Sequence, residues 1–514
     1  MNLTFVPTPI GDLPRIDWHQ LAARRSAWPI DPALRGAFVD AASGPQPADR
    51  LFAPGAMCVT TGQQPGLFTG PLLVLYKALS AVALARRLER TLARPVVPVF
   101  WVAGDDHDLA ESNHTHLLTP ANEVERIALA DRPPEAALTP LYRERLGDGI
   151  THALDAVTAG TTESEFRHEV LAWLGRHYRA DADYAGAFAG AMADWLSPHG
   201  LAVFRPTHAA AKAAMRPWLI RTLAEAQAIL PALVARADEL RREGRPAPVG
   251  VDDQATPVML EATLGRDRLV RHGDGFRTRR SGEEFTLPAL RAIADTSPAR
   301  LSPNVLLRPV VEAAILPTVA YVGGPGELAY FPQCAPLYSA HGVHPQVPVP
   351  RWSARVVEAR VAKVLEKYDV AANDLTLAEG QLEQRLVRDE IPASAVAALE
   401  AIRRALDEEY TRLRDAAVTI DPTLRKPIES TQHAARSGVD AVEKRLVGHL
   451  KQRNDVLVNQ LAKARVNLFP LGRPQERVLS PLPFLMRYGP SFLDAALGAA
   501  TEWVDALEPG LASP

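Results

Sequence analysis

Between Met57 and Ala103 the chain passes through an apolar segment, a glycine-rich loop, a helical segment and a second apolar segment, and few folds accept that order. Residues 57–60 predict a strand that runs into TGQQPGLFTGP. Leu72, Leu75, Leu79, Val82 and Ala83 then recur at helical spacing. Thr69 or Gly70 can cap that helix, and Pro71 suits its first turn, where no backbone N–H is needed. Residues 96–103 (VVPVFWVA) are apolar on both faces. Such a strand belongs inside a parallel sheet covered by helices on both sides. Strand, loop, helix and strand make one βαβ unit, and open sheets of this kind bind ligands at the carboxyl ends of their strands.

A chain of 514 residues exceeds one ordinary core, so two or three domains are expected. Residues 120–200 read as helical, 201–205 (LAVFR) as a short strand, and the stretch to about 245 as helix again. Residues 250–290 carry a small β insertion with turns at HGDG and RSGEE, and strands resume at 318–322 and 346–349. The fold class is therefore α/β: a doubly wound parallel sheet in residues 1–350, with insertions at about 120–200 and 205–300. After Trp352 the pattern changes. Leu399, Ile402, Leu406, Leu413, Ala416 and Ile420 follow heptad-like steps. Leu446, Leu450, Leu457, Leu461 and Leu468 form a second stripe, with Pro422 and Pro427 marking the turn between the two. Residues 351–468 thus predict a helical coiled-coil domain whose 390–468 stretch is an antiparallel hairpin, long enough to project or to pair with another chain. Residues 469–514 include GRPQERVLSPLPFLMRYGP, too apolar for a free tail, and are expected to pack back on the core.

Composition narrows the class. Lys plus Arg number 57 against 60 Asp plus Glu, which leaves no overall basic footprint for a nucleic-acid partner. Two cysteines, Cys58 and Cys334, make neither a disulfide framework nor a Cys-rich zinc site. The first residues lack a basic stretch followed by an apolar one, and the most apolar run, 71–85, is interrupted by Lys77. It falls short of the ~20 residues that span a bilayer. A cytoplasmic protein with no membrane partner is expected.

Three strand-end loops carry the candidate chemistry. In the first, glycines 62, 66 and 70 let backbone amides approach an anion, and Gln63 and Gln64 are costly to bury there without a purpose. A tight turn with no ligand is the plain alternative. Lys77 can slant back toward the helix N-terminus and reach a phosphate or carboxylate, or it can be solvated. The second loop, Gly104-Asp105-Asp106-His107-Asp108, sets three carboxylates around one imidazole. That suits acid/base work or magnesium, and it should raise the proton affinity of His107; a capped acidic turn is the alternative. His107, His114 and His116 fit no zinc-ligand spacing, so no metal centre is assigned. In the third loop, Gly323-Gly324-Pro325-Gly326-Glu327 follows an apolar strand but is not a dinucleotide fingerprint. Arg308 offers either a carboxylate clamp or a structural ion pair.

Taken together, TGQQPGLFTGPLLVLYKALSA, PVFWVAGDDHDLAESNH, LSPNVLLRPVVEAAILPTVAYVGGPGELAYF and RPQERVLSPLPFLMRYGP resemble the bacillithiol-biosynthesis cysteine-adding enzymes, in order, from about residue 50 to 495. The resemblance implies a Rossmann-like core with insertions, a C-terminal coiled coil supporting a homodimer, and addition of cysteine to glucosaminyl-malate as the last step of bacillithiol synthesis. It also implies a nucleotide site near the coiled coil, apart from the core pocket. The family commonly has GEDHD where this chain has Gly104 to Asp108, a change that keeps charge and shortens reach, and a small residue where this chain has Pro65. Amide formation needs an activated carboxyl, so ATP/ADP is the expected cofactor, with magnesium as its companion. The catalytic candidates are His107, Asp106, Asp108 and Lys77, with His107 or a neighbouring carboxylate taking the amine proton. The substrate-binding candidates are Gln63, Gln64, Gly66, Thr69, Gly70, Asp105, Asn113, Arg308, Gly323, Gly324, Gly326 and Glu327. Arg473, Gln475, Arg477, Arg487 and Tyr488 are the nucleotide-binding candidates, as guanidinium and aromatic groups suit phosphate and base; a packing segment with solvated charges is the plain alternative. A nucleotidyl- or glycosyl-transferase on the same core, or a scaffold built around the coiled coil, are the competing expectations.

Overall fold

The computed structural model describes residues 3–8, 16–26, 29–378, 380–388 and 391–507, with backbone alone at 451–453. The chain divides into two units, one built on Phe5–Arg355 and the stretch from Gln475, the other on Val356–Pro474.

The first unit is organised by a six-stranded sheet. Its strands are β1 (Phe38–Val39), β2 (Met57–Gln63), β3 (Val96–Val102), β4 (Ala202–Phe204), β5 (Thr318–Gly323) and β6 (Val347–Pro350), in the order β6-β5-β2-β3-β4-β1. All neighbours are parallel except the β4–β1 edge pair, which is antiparallel and only two residues long. The sheet is doubly wound as expected, but mixed at that edge, where two residues give no readable period. β2 extends three residues beyond 57–60, because Gly62 and Gln63 go on pairing with Trp101 and Val102. Only glycine fits at 62: a Cβ there would lie 2.8 Å from the Trp101 carbonyl oxygen.

Helix α1 (Leu72–Leu92) follows β2 and is buried almost all round, between the sheet and the Pro490–Ala506 helix. Neither Thr69 nor Gly70 caps it. Pro71 occupies the cap position, and the Leu72 N–H donates instead to the Leu479 carbonyl (2.8 Å), so the C-terminal stretch finishes the helix start. The turn before it is strained, with Phe68 and Thr69 at positive φ (51° and 69°). Residues of that kind in the left-handed region cost ~1–3 kcal/mol each. Burial of the Phe68 ring against Tyr178, and a bond from the Thr69 N–H to the Tyr178 hydroxyl (2.8 Å), hold the turn.

The 250–290 insertion is a five-stranded antiparallel sheet, completed by Leu301–Pro303. Within its Gly265–His272 strand, alternation sends Arg266 and Arg268 to one face and the buried Asp267 to the other. Asp267 accepts the Arg280 and Ser281 N–H groups (2.8 and 2.9 Å), which pins the turn.

In the second unit, Ala393–Ile420 and Arg425–Arg453 form the antiparallel hairpin. Pro427 lies in the first turn of the second helix, where proline is tolerated, and not in the connection. The second leucine stripe is split: Asn454 interrupts it, and Asp455–Leu468 is a separate helix that buries Leu457, Leu461 and Leu468. The heptad-like stripe is only partly inward. Leu399 is buried and Leu406 half-buried, whereas Ala416 is exposed, as are Ile402, Leu413 and Ile420 (47%, 53% and 82%). Arg403 ties the hairpin together through Asp440 and Glu443.

Leu79 is fully buried in α1. Leu79→Ala is expected to cost about 2–5 kcal/mol through lost burial and the cavity left behind, measured by urea unfolding.

Candidate active site

The carboxyl ends of β2, β3 and β5 open into one cavity of about 620 Å³, so the three glycine- and acid-rich loops do meet at one sheet edge. Gln63 and Gln64 line it from the first loop, Asp105, Asp106 and His107 from the second, and Gly324, Gly326 and Glu327 from the third.

Lys77 is the centre of the first wall. Its side chain is 3% exposed, and its ammonium donates to Gly62 O (2.8 Å) and Gln63 Oε1 (2.7 Å) and pairs with Glu327 Oε2 (2.5 Å). It slants back along α1 as its position predicts. Burial pulls the Lys77 pKa down, Arg351 and Arg308 add to this, and Glu327 opposes it. Burial works to raise the Glu327 carboxyl, but Lys77, the Tyr321 hydroxyl (2.5 Å) and the Gly324 N–H (2.8 Å) outweigh it and hold the pKa low. The pair is therefore a charged clamp between α1 and the loop after β5. Arg308 heads α3 (Arg308–Ile315), where it pairs with the buried Glu312 (2.8 Å), and its guanidinium lies 4.9 Å from the Tyr321 ring centre. The structural ion pair is thus present, although Arg308 also lines the cavity.

The acidic turn forms the opposite wall. Asp105 accepts from the fully buried Lys212 (2.6 Å) of α2 (Ala209–Ala224). Asp106 accepts from Gln64 Nε2 (2.6 Å) and from the His107 N–H (2.7 Å). The expected rise in His107 proton affinity does not occur. Burial and Arg266 outweigh Asp106 and Asp108 and hold its pKa below the ordinary value. Asp108 is exposed and caps the Leu109–Ser112 helix, accepting the Glu111 N–H (3.2 Å), as the capped-turn alternative has it. Among the described residues no group of three His, Cys, Asp or Glu side chains is placed to hold a metal ion.

Several candidates stand elsewhere. Gly66, Thr69, Gly70 and Gly323 shape the loops without lining the cavity. Asn113 is buried and donates to Leu129 O (3.1 Å) and Asp131 Oδ1 (2.6 Å), fastening the chain behind the acidic turn. The five nucleotide candidates are not gathered in one place. Arg477 lines the core cavity, Gln475 is buried, and Arg487 bonds Pro483 O (3.0 Å) and lies near the Phe484 and Tyr488 rings. Arg473 belongs to the other unit.

Sequence reading missed Arg266, Arg268, Arg351 and Lys212. Arg351 is buried and clamps Glu476 through both Nη atoms, tying the end of β6 to the C-terminal stretch. Arg266 and Arg268 come from the insertion, where only their i, i+2 spacing in RDR signals a shared face.

Likeness to known proteins agrees with the fold. The N-terminal Rossmann-like domain of bacillithiol biosynthesis BshC matches residues 42–352, and the C-terminal coiled-coil domain of the same proteins matches 354–503. The chain belongs to the BshC family. A relative from Salinibacter ruber named "Putative cysteine ligase BshC" is 33% identical over 450 residues, covering 87% of this chain and 81% of that one. Relatives of the same name from Heliobacterium modesticaldum (31%, covering 89% and 84%) and Prosthecochloris aestuarii (29%, covering 87% and 81%) extend the likeness. With the family come a Rossmann-like fold, a helical coiled-coil region and ligase activity. Among the described residues no single helix is long and apolar enough to cross a membrane.

Removing one partner of a buried ion pair leaves an uncompensated charge and costs ~3–5 kcal/mol. Lys77→Met is expected at the lower end of that range, because Glu327 keeps 22% exposure. Lys77→Met with Glu327→Leu should recover part of the loss in urea unfolding.

Proposed function

We propose that this chain adds cysteine to glucosaminyl-malate, forming an amide in the last step of bacillithiol biosynthesis. One observation carries the reading from the site itself: the charge of the cavity wall. Lys77, Arg266, Arg268, Arg308, Arg351 and Arg477 line it against only Asp105, Asp106 and Glu327. Four of the cations are committed to protein partners. The Arg268 and Arg477 guanidinium groups make no hydrogen bond or ion pair among the described residues, and they are left to meet an anionic ligand such as the carboxylates of a malyl group. The names of the relatives support cysteine as the second substrate.

ATP is the proposed activator of the cysteine carboxyl, with magnesium as its companion; when bound it supplies the leaving group that amide formation needs. Arg477 fits phosphate contact, and the cations of the cavity wall fit the charge that develops at the reacting carbonyl. Asp106, a carboxylate on the same wall, is the group proposed to take the amine proton. The exposed Ile402, Leu413 and Ile420 support pairing of two copies through the hairpin, and a cytoplasmic location fits a biosynthetic ligase.

Low-molecular-weight thiol profiling of a deletion strain tests the reading. Accumulated glucosaminyl-malate and lost bacillithiol are expected; an unchanged thiol pool refutes it. In the purified protein, His107→Ala should lower turnover by about 10²-fold or more at an unchanged melting temperature. Light scattering should show a dimer that Leu406→Asp with Leu413→Asp dissociates; an indifferent dimer, or a monomer from the start, removes the hairpin from assembly.

A further inference from the structure

His107 is bracketed by groups that decide which of its nitrogens holds the proton. Arg266 Nη1 lies 3.4 Å from His107 Nδ1. A guanidinium has donors only, so Nδ1 must offer its lone pair. The competing neighbour, Asp106 Oδ1, stands 3.6 Å from Nδ1, outside hydrogen-bonding distance, and already accepts the His107 N–H at 2.7 Å.

The donor is held in place. Arg266 Nε donates to Ser302 Oγ (3.1 Å) and Nη2 to Pro303 O (3.0 Å), both on the neighbouring Leu301–Pro303 segment. From the other side, Arg132 donates to the His107 carbonyl (3.0 Å) and is itself fixed by Glu144 Oε2 (3.0 Å) and Thr139 O (2.8 Å). His107 Nε2 has no partner among the described residues, and the ring lines the cavity.

We propose that Arg266 is a positioning residue that fixes His107 as the Nε2–H tautomer, so that His107 serves the site as a hydrogen-bond donor to a ligand oxygen and not as the base that takes the amine proton. Such a donor, preset before the reaction, favours the oxygen that gains negative charge as the amine adds to the carboxyl carbon. The identity of that oxygen rests on the amide-forming reading; the tautomer is a property of the site alone. The charged groups facing His107 are Arg266, Arg132, Asp106 and Asp108, and with burial their balance favours the neutral ring, in keeping with the tautomer.

NMR of the full-length protein carrying ¹⁵N-histidine reads the tautomer directly, with His107→Gln assigning the ring. At about pH 7.5, well above the ordinary histidine pKa, His107 should show a protonated Nε2 and an unprotonated Nδ1. Arg266→Met should move it toward the Nδ1–H form or the imidazolium, whereas Arg266→Lys, which keeps a donor, should retain the wild-type form. In turnover, Arg266→Met should lower kcat by about 10²-fold with a smaller change in KM. A wild-type ring protonated on Nδ1, or doubly protonated, overturns the proposal, and so does an Arg266→Met ring identical to wild type. Should Arg266→Met fail to fold, the wild-type and Arg266→Lys spectra decide. An Nε2–H ring in a protein that makes no amide from cysteine and glucosaminyl-malate contradicts the function and leaves the tautomer standing.

Discussion

The buried Lys77 ammonium binds together pieces of chain that are far apart in sequence. It touches the end of β2 through Gly62 and Gln63, and the loop after β5 through Glu327, while its own helix is started by the Leu479 carbonyl. Taking a lysine out of water is expensive, and the cost is offset here only because each donor direction meets an oxygen. Glu327 in turn takes bonds from Tyr321 and the Gly324 amide. The shape of one cavity wall therefore depends on a single ion pair, with Gly62 beside it required by the close approach of the Trp101 carbonyl.

The opposite wall follows the same logic with different partners. Lys212 anchors Asp105 from beneath, Gln64 crosses to Asp106, and Arg266 reaches in from the small sheet. A ring between two carboxylates would be expected to gain a proton, yet desolvation and the guanidinium prevail for His107. With most charges on both walls paired, Arg268 and Arg477 remain as cavity-lining cations whose guanidinium groups make no hydrogen bond or ion pair among the described residues. In the proposed reading, a ligand carrying carboxylate or phosphate groups supplies the balance.

How much of this was legible depended on whether a residue's role was local. The βαβ unit was readable because VVPVFWVA and the spacing of Leu72, Leu75 and Leu79 are strong local periods, and the three loops could be put on one edge because parallel strands force it. The cap at Asp108 was legible as an alternative, but Asn113 as a fastener was hidden, since its position in the motif says nothing of which way it faces. Arg266, Arg268 and Lys212 were hidden for a further reason: they reach the site from an insertion and from a distant helix, and no local pattern encodes that approach. The split at Asn454 and the outward Ile402 and Leu413 show the same limit in the hairpin, where a heptad-like step does not by itself say which surface is covered.

The central claim is that this cation-lined cavity receives the anionic substrate. Calorimetric titration of glucosaminyl-malate into the wild-type protein and into Arg268→Ala tests it most directly. The account predicts binding to wild type that weakens as salt rises, and a loss of at least tenfold in affinity in the variant, about 1.4 kcal/mol. Equal affinity in the two proteins would contradict it.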